Sequence, residues 1–406
     1  MNRTINCPLH GHIDITPRMS MIIDTVEFKR LHGLRQLGVS YMVYPSANHT
    51  RFEHSLGVSH LGKILIESLQ KNQPELNITD NLVELVQIAG LIHDIGHGPF
   101  SHLYDDYIRK EGQPEHEERG IDIFKRIITE YEMSISEPEQ QIIINMIVPP
   151  EDKKSNFLYQ IIANKQCSID VDKIDYIQRD SYHLGMGLSE KYDRLLTMCR
   201  VVEFNGNQVL AWPDKLQDEI VLLFETRYRL HRRVYNHRTA KACEYLIIDL
   251  LKDKNIFWKK TLENSWYCAI DSIALIAENA TQHNILKKLY TRNIPKMIGE
   301  YFIASSGHIK DMDVKMTELI SELDSHNIKH RGIMKLRIGF ISGNGKNPLK
   351  NVVYFKKNKI GFQKKHYDSF MVPKNCQEYI YRIYIEDFDE NQHKIALSLW
   401  EQKFTE

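Results

Sequence analysis

Leu91-Ile92-His93-Asp94-Ile95-Gly96-His97-Gly98-Pro99-Phe100-Ser101-His102 sets an adjacent His-Asp pair at the end of an almost wholly apolar run. The run before it, Asn81 to Ile92, is apolar on most sides and predicts a buried helix. Burying an imidazole beside a carboxylate is costly unless something compensates both. A divalent metal does so, because neutral imidazole and ionised carboxylate suit Zn, Mn, Fe or Mg. The competing explanation is a helix-end cap or a structural Asp-His hydrogen bond. His97 at i+4, the Gly98-Pro99 stop and His102 just beyond weigh toward the metal.

The composition bounds the rest. With 406 residues, 42% of them hydrophobic, the chain can bury the core of one large domain or two. Lys+Arg and Asp+Glu both number 53, so no basic excess points to nucleic acid or an anionic membrane. The six cysteines are scattered without a CxxC pair, so neither a zinc ribbon nor a thioredoxin-like site is indicated. No secretory signal or membrane-length apolar run is visible, so a soluble, intracellular protein with reduced thiols is expected.

Further out, residues 1–305 read as helix after helix, with examples at Val58 to Gln70, Asp122 to Tyr131 and Asp271 to Arg292. Beyond that, Met334 to Ile341, Asn351 to Phe355 and Glu378 to Ile385 look like strands, and His393 to Phe404 suits a closing helix. The expected fold is mainly α: a helical catalytic region, 1–305, and a smaller α+β region, 306–406.

Two other places can complete a metal shell. His54 lies in the first turn of a helix expected to start near Leu56. Asp172, Tyr176, Asp180 and His183 recur at helical spacing on one face, with Ile174 and Ile177 opposite, facing the core. A similar spacing places Arg227, His231, Tyr235 and Arg238 on one face beside Arg232 and Arg233. Guanidinium forks suit phosphate oxygens, and such a face beside a metal-ligand set in a neutral protein favours a small polyphosphate.

The strings RFEHSLGVSHL from Arg51, QIAGLIHDIGHGPFSH from Gln87 and IDVDKIDYIQRD from Ile169 resemble the sterile-alpha-motif-and-HD-domain deoxynucleoside triphosphate triphosphohydrolases. The similarity runs from about Ile5 through the Arg227–Arg238 segment and more weakly to the C-terminus. It implies an all-helical HD core, one divalent metal per site held by His54, His93, Asp94 and Asp172, and Mg on the substrate phosphates. His97 orients a ligand from outside that set. His116, with Asp105 orienting it, matches the family's proton donor to the sugar 5′-oxygen, and His102 reaches the α-phosphate. Arg51, Lys173, Tyr176, Arg227 and His231 match residues that grip phosphates. Gln36, Leu37, Asp180 and Tyr235 match those around the sugar, with Tyr235 excluding a 2′-hydroxyl by steric conflict. The products implied are a deoxynucleoside and inorganic triphosphate.

The resemblance also implies a homo-oligomer, dimer or tetramer, and a GTP or dGTP effector. Asp24 matches the carboxylate that reads the effector guanine. Around it Arg3 stands where the family has Lys, Lys29 where it has Gln, and His32 where it has Arg. Trp212 and Phe362 fall roughly where further phosphate-binding arginines are expected, and a sterile alpha motif module is expected to be absent. Two alternatives stay open: another HD phosphohydrolase (a nucleoside monophosphate phosphatase or a phosphodiesterase), or a single-stranded nucleic-acid binding protein with a relic HD site.

Overall fold

A computed structural model describes residues 3–109, 113–153, 156–186, 192–254, 270–304, 308–339, 347–356, 359–363, 372, 375–386 and 389–404. The chain opens on a hairpin, β1 (Arg3–Cys7) and β2 (Gly11–Ile15), then α1 (Pro17–Ile23) and α2 (Val26–Lys29). Next come α3 (Arg51–Asn72), α4 (Asp80–Ile92), α5 (His116–Glu130), α6 (Glu137–Ile147), α7 (Val171–His183) and α8 (Asp193–Thr197). β3 (Arg200–Phe204) and β4 (Asn207–Pro213) form a hairpin ahead of α9 (Gln217–Leu230) and α10 (Arg238–Asp253). α11 (Asp271–Ala274), α12 (Ala280–Tyr290), β5 (Lys296–Ile303), α13 (Ile309–Ser325) and β6 (His330–Gly339) follow. β7 (Val353–Lys356), β8 (Lys359–Gln363), β9 (Gln377–Ile385) and α14 (Glu390–Phe404) complete the order. The protein is mainly α with a smaller sheet component.

Two compact units emerge. The first comprises Met1–Thr226, Phe257–Ala274 and Asn347–Val372, and the second Arg227–Ile256, Leu275–Lys346 and Pro373–Glu406. Both are assembled from separated pieces of chain. In the first, parallel pairing of β4 with β7 extends the β3–β4 hairpin into a four-stranded sheet, β3-β4-β7-β8. In the second, β9 lies antiparallel between β5 and β6. Ile298, Tyr381 and Ile383 from that sheet pack with Met316 and Leu319 of α13 and Trp400 of α14.

The helices of the first unit position the site. Thr79 caps α4 by accepting from Leu82 N at 3.2 Å, and Val83 and the residues from Leu85 to Ile92 are all buried. Each large apolar side chain so buried contributes about 1.5–3 kcal/mol. A Cβ on Gly90 would sit 2.9 Å from Ser59 Cα, and one on Gly57 would sit 1.9 Å from Asp175 Oδ1. Glycine at these two positions therefore lets α3 approach α4 on one side and α7 on the other.

Several expectations need correction. The region before residue 305 also carries strands β1 to β5, short segments that a helical period does not reveal. α3 begins at Arg51, ahead of the expected start near Leu56. α4 ends at Ile92, so His93 is its C-cap and His97 lies beyond the turn that follows rather than one helical turn on. The Asp271–Arg292 stretch breaks into α11 and α12. The expected strand Met334 to Ile341 matches β6 up to Gly339; its last two residues lie outside the described ones. Among the described residues no helix is long and apolar enough to cross a membrane. Cys7, Cys167, Cys199 and Cys243 are free thiols, Cys376 is buried, and Cys268 lies outside the described residues.

Candidate active site

Three helices converge on one point. His54 from the first turn of α3, His93 and Asp94 at the end of α4, and Asp172 from the first turn of α7 face each other there. His54 Nε2 lies 3.0 Å from Asp172 Oδ1 and 3.6 Å from Asp94 Oδ2. His93 Nε2 is buried without a hydrogen bond, 3.5 Å from Asp94 Oδ2 and 3.6 Å from Asp172 Oδ1. Ligand atoms of His54, His93 and Asp94 all fall within 4.8 Å of one another.

The far side of each ring is tied down. His93 Nδ1 donates to Gly90 O at 2.7 Å, which leaves Nε2 with its lone pair toward the cluster. His54 Nδ1 lies 2.8 Å from Asp175 Oδ2. Asp175 is fully buried and is also met by His10 Nε2 at 2.6 Å and Arg179 Nε at 2.8 Å. A carboxylate behind a histidine whose other nitrogen faces a ligand cluster is the arrangement that raises ligand basicity and fixes the tautomer.

The electrostatics demand positive charge at the centre. Burial alone would depress His54, but its bonds to Asp172 and Asp175 and the charge of Asp94 push it up to about 10. Burial likewise opposes ionisation of Asp94 and Asp172. Arg51 and His93 beside the first, and His54 and His93 beside the second, nonetheless hold both carboxyls well below the usual range. Two carboxylates and two imidazole Nε2 atoms converging in a largely buried space fit one divalent cation.

A second group of histidines forms the adjoining wall. His97 stacks on His116 with ring centroids 4.0 Å apart, and its Nε2 is 3.4 Å from Asp94 Oδ1. Burial, with Arg51 and His116 nearby, holds His97 neutral, well below the usual imidazole range. His116 Nδ1 is 3.1 Å from Asp105 Oδ2. Asp105 itself sits in a π-helical turn, Tyr104–Ile108, a local irregularity often found at functional sites. His102 is hemmed in by protein yet open to solvent. Desolvation, then the charges of Arg51 and His116, push its imidazole down to about 4.

Of the matched phosphate residues, Arg51 is at the cluster. It is buried, donates through Nη1 to Asp94 and through Nε to Ser101 Oγ at 2.7 Å, and leaves buried Nη2 without a partner. Lys173 donates to Asp170 Oδ2 at 2.8 Å, and half-buried Tyr176 is on the same helix. Among the sugar residues, Gln36 Oε1 is buried without a hydrogen bond and Leu37 is half-buried. Asp180 already holds His49 Nε2 at 2.7 Å, so one of its oxygens is committed.

Arg227, His231 and Tyr235 belong to the second unit. There Arg227 Nη1 donates to Gly339 O at 3.4 Å, and the His231 and Tyr235 rings meet edge-on at 4.7 Å. The expected single helical face is not continuous: α9 stops at Leu230, a π-helical turn covers His231–Tyr235, and Arg238 starts α10. The wider turn absorbs an extra residue and breaks the 3.6-residue register.

The matched effector residues form a separate surface group. Asp24 pairs with Arg3 Nη1 at 3.0 Å and Lys29 Nζ at 3.1 Å, while His32 stacks on Phe52 at 3.6 Å. Trp212 is core, its Nε1 donating to Leu195 O at 3.0 Å, and Phe362 lies on β8 facing the ring of Tyr354.

Sequence reasoning passed over Asp175, Arg30, Arg119 and Asp271. Arg30 donates to His97 O at 2.7 Å and Ile95 O at 2.6 Å, satisfying carbonyls of the segment that follows α4. Asp271 accepts from Phe100 N at 2.8 Å and Arg35 N at 3.0 Å, bracing a loop in which Phe100 and Ser101 both have positive φ. The one signal available was Asp175, three residues after Asp172.

Residues 51–180, which contain all four candidate ligands, match the HD domain family. The chain is 36% identical over 345 residues to bovine deoxynucleoside triphosphate triphosphohydrolase SAMHD1, covering 73% of this chain and 59% of the relative. Against the human protein of that name it is 32% identical over 445 residues, covering 95% and 71%. The Dictyostelium discoideum homolog is 31% identical over 404 residues, covering 94% and 77%. The chain thus spans just under three fifths of the bovine relative and most of the other two. With its HD-domain match spanning the metal-type cluster and its likeness extending along most of two relatives, this chain belongs to the HD-domain family of SAMHD1 and its homologues.

Proposed function

We propose that the protein is a metal-dependent deoxynucleoside triphosphate triphosphohydrolase acting inside the cell. The observation that carries this reading is one wall of metal-type ligands, buried His54, His93 and Asp94 with half-buried Asp172 beside them, next to a second wall in which Asp105 faces His116. His54, His93, Asp94 and Asp172 hold one divalent cation of the Fe, Mn, Zn or Mg class. When bound, the cation supplies Lewis acidity that offsets phosphate charge and makes water more acidic.

The chain's own residues do the rest. Arg51, with its unengaged Nη2, and Lys173 and Tyr176 bind phosphate oxygens of a Mg-bearing triphosphate. His102 meets the α-phosphate. Water oxygen bonds to the α-phosphorus as the bond to the sugar 5′-oxygen breaks, and His116, oriented by Asp105, delivers a proton to that oxygen. Gln36, Leu37 and Asp180 surround the sugar. All these residues fall within 1–305. Asp24, Arg3, Lys29 and His32 form a weakened effector site for GTP or dGTP in a homo-oligomer.

The test is to incubate purified protein with each dNTP and NTP plus Mn or Mg, with and without GTP, and resolve products by ion exchange. Triphosphate and deoxynucleoside are expected from dNTPs. Pyrophosphate or orthophosphate overturns the assigned orientation and the role of His116.

A further inference from the structure

α5 begins at His116, and its first turn lies against the turn that follows Asp94. A Cβ on Gly96 would sit 1.9 Å from His116 O and 2.5 Å from Gly120 N, so only glycine allows the two backbones to meet. Arg119, one turn into α5 and buried, bridges the same junction. Its Nε donates to Gly96 O at 3.0 Å, its Nη1 to Pro114 O at 2.8 Å and its Nη2 to Asp105 Oδ1 at 2.6 Å. The other oxygen of Asp105 faces His116 Nδ1 at 3.1 Å.

We infer that Arg119 is the positioning residue that couples the metal-binding turn to the proton donor. The guanidinium fixes the plane of the Asp105 carboxylate by occupying Oδ1, which leaves Oδ2 directed at His116. The same fork is anchored to the carbonyl two residues after Asp94. A buried guanidinium is tolerated only when its donors are matched, and here three of them point at three acceptors in different directions. Lysine keeps the charge but cannot reproduce that fork. The inference rests on His116 as the donor and assigns Arg119 no contact with substrate.

The experiment compares Arg119→Ala and Arg119→Lys in the wild-type and Asp105→Asn backgrounds, with His116→Ala alongside. The readouts are kcat, KM for a dNTP with Mn, bound metal by mass spectrometry, and rescue by ethylguanidinium. Arg119→Ala is expected to lower kcat by about 10–100-fold, with KM and metal content little changed. Arg119→Lys recovers only part of the loss. In the Asp105→Asn background the Ala change adds less than about twofold, because both act through one unit. Ethylguanidinium restores Arg119→Ala and leaves the double variant unmoved. Unchanged kcat in the Ala variant, or a loss that multiplies fully with Asp105→Asn, overturns the inference. If Arg119→Ala does not fold, Arg119→Lys carries the same comparison. If Asp105→Asn and His116→Ala are themselves silent, the donor assignment fails and the inference with it. If they are crippling and both Arg119 variants are active, the inference alone fails.

Discussion

Two charged clusters in the first unit show opposite ways of holding ions. Around His54, His93, Asp94 and Asp172, the groups are largely buried and each ring is braced from behind, His93 by Gly90 O and His54 by Asp175. Around Asp24, the carboxylate is more than half exposed and its partners, Arg3 and Lys29, come from the surface. The first cluster keeps its geometry because α3, α4 and α7 cannot move apart without opening a core. The second is screened by water and salt, and its charges already satisfy one another. A preorganised centre and an adaptable surface are thus built from similar residue types, distinguished by what lies behind them.

The sharpest break of this contrast is chemical. His116→Ala should lower kcat by about 10²–10⁴-fold with metal content unchanged, as removal of a general acid does. A drop in bound metal would place His116 among the ligands instead. Next comes the bracing carboxylate: Asp175→Asn should weaken metal affinity by about 10–100-fold, measured by chelator competition, although Asp175 is no ligand itself. Affinity equal to wild type would mean the buried support behind His54 is dispensable.

Asp271 gives a smaller, pH-dependent effect. Burial raises its carboxyl to about 6 from an ordinary value of 3.8, against the bonds from Phe100 and Arg35. Folding therefore binds a proton between these values, and stability falls as pH rises through that window, by at most about 3 kcal/mol. Asp271→Asn should flatten this slope in denaturation midpoints taken from pH 4 to 6. An unchanged slope would assign it to other groups. Smallest of all, Asp24→Ala should cost about 0–1 kcal/mol in urea unfolding, as exposed ion pairs do. Its signature belongs to control: wild type should show a basal rate without nucleotide or weak GTP activation, diminished by Asp24→Ala. Strict, tight activation independent of Asp24 would move the effector site elsewhere.

What the sequence made legible follows from range. The run from Asn81 to Ile92 is long and apolar, so its helix and the buried His93-Asp94 pair at its end could be read locally. Ile174 and Ile177 are buried as α7 periodicity required. The π-helical turns at Tyr104–Ile108 and His231–Tyr235 carry no local signal, and the second of them broke the expected Arg227–Arg238 face. Strands β1 and β3 are five residues long, too short for alternation to stand out. Arg30 and Asp271 were invisible as site residues because their partners lie far along the chain, and Arg119 because its partners are largely backbone atoms at irregular spacing. Such contacts leave no spacing rule to read.

The central claim is that the braced quartet holds a divalent metal. Metal content by mass spectrometry, with circular dichroism as the folding control, should be compared between wild type and the His93→Ala/Asp94→Ala double variant. The account predicts about one ion per wild-type chain and essentially none in the variant, at unchanged helicity and with turnover abolished. Stoichiometric metal retained in the folded double variant would contradict it.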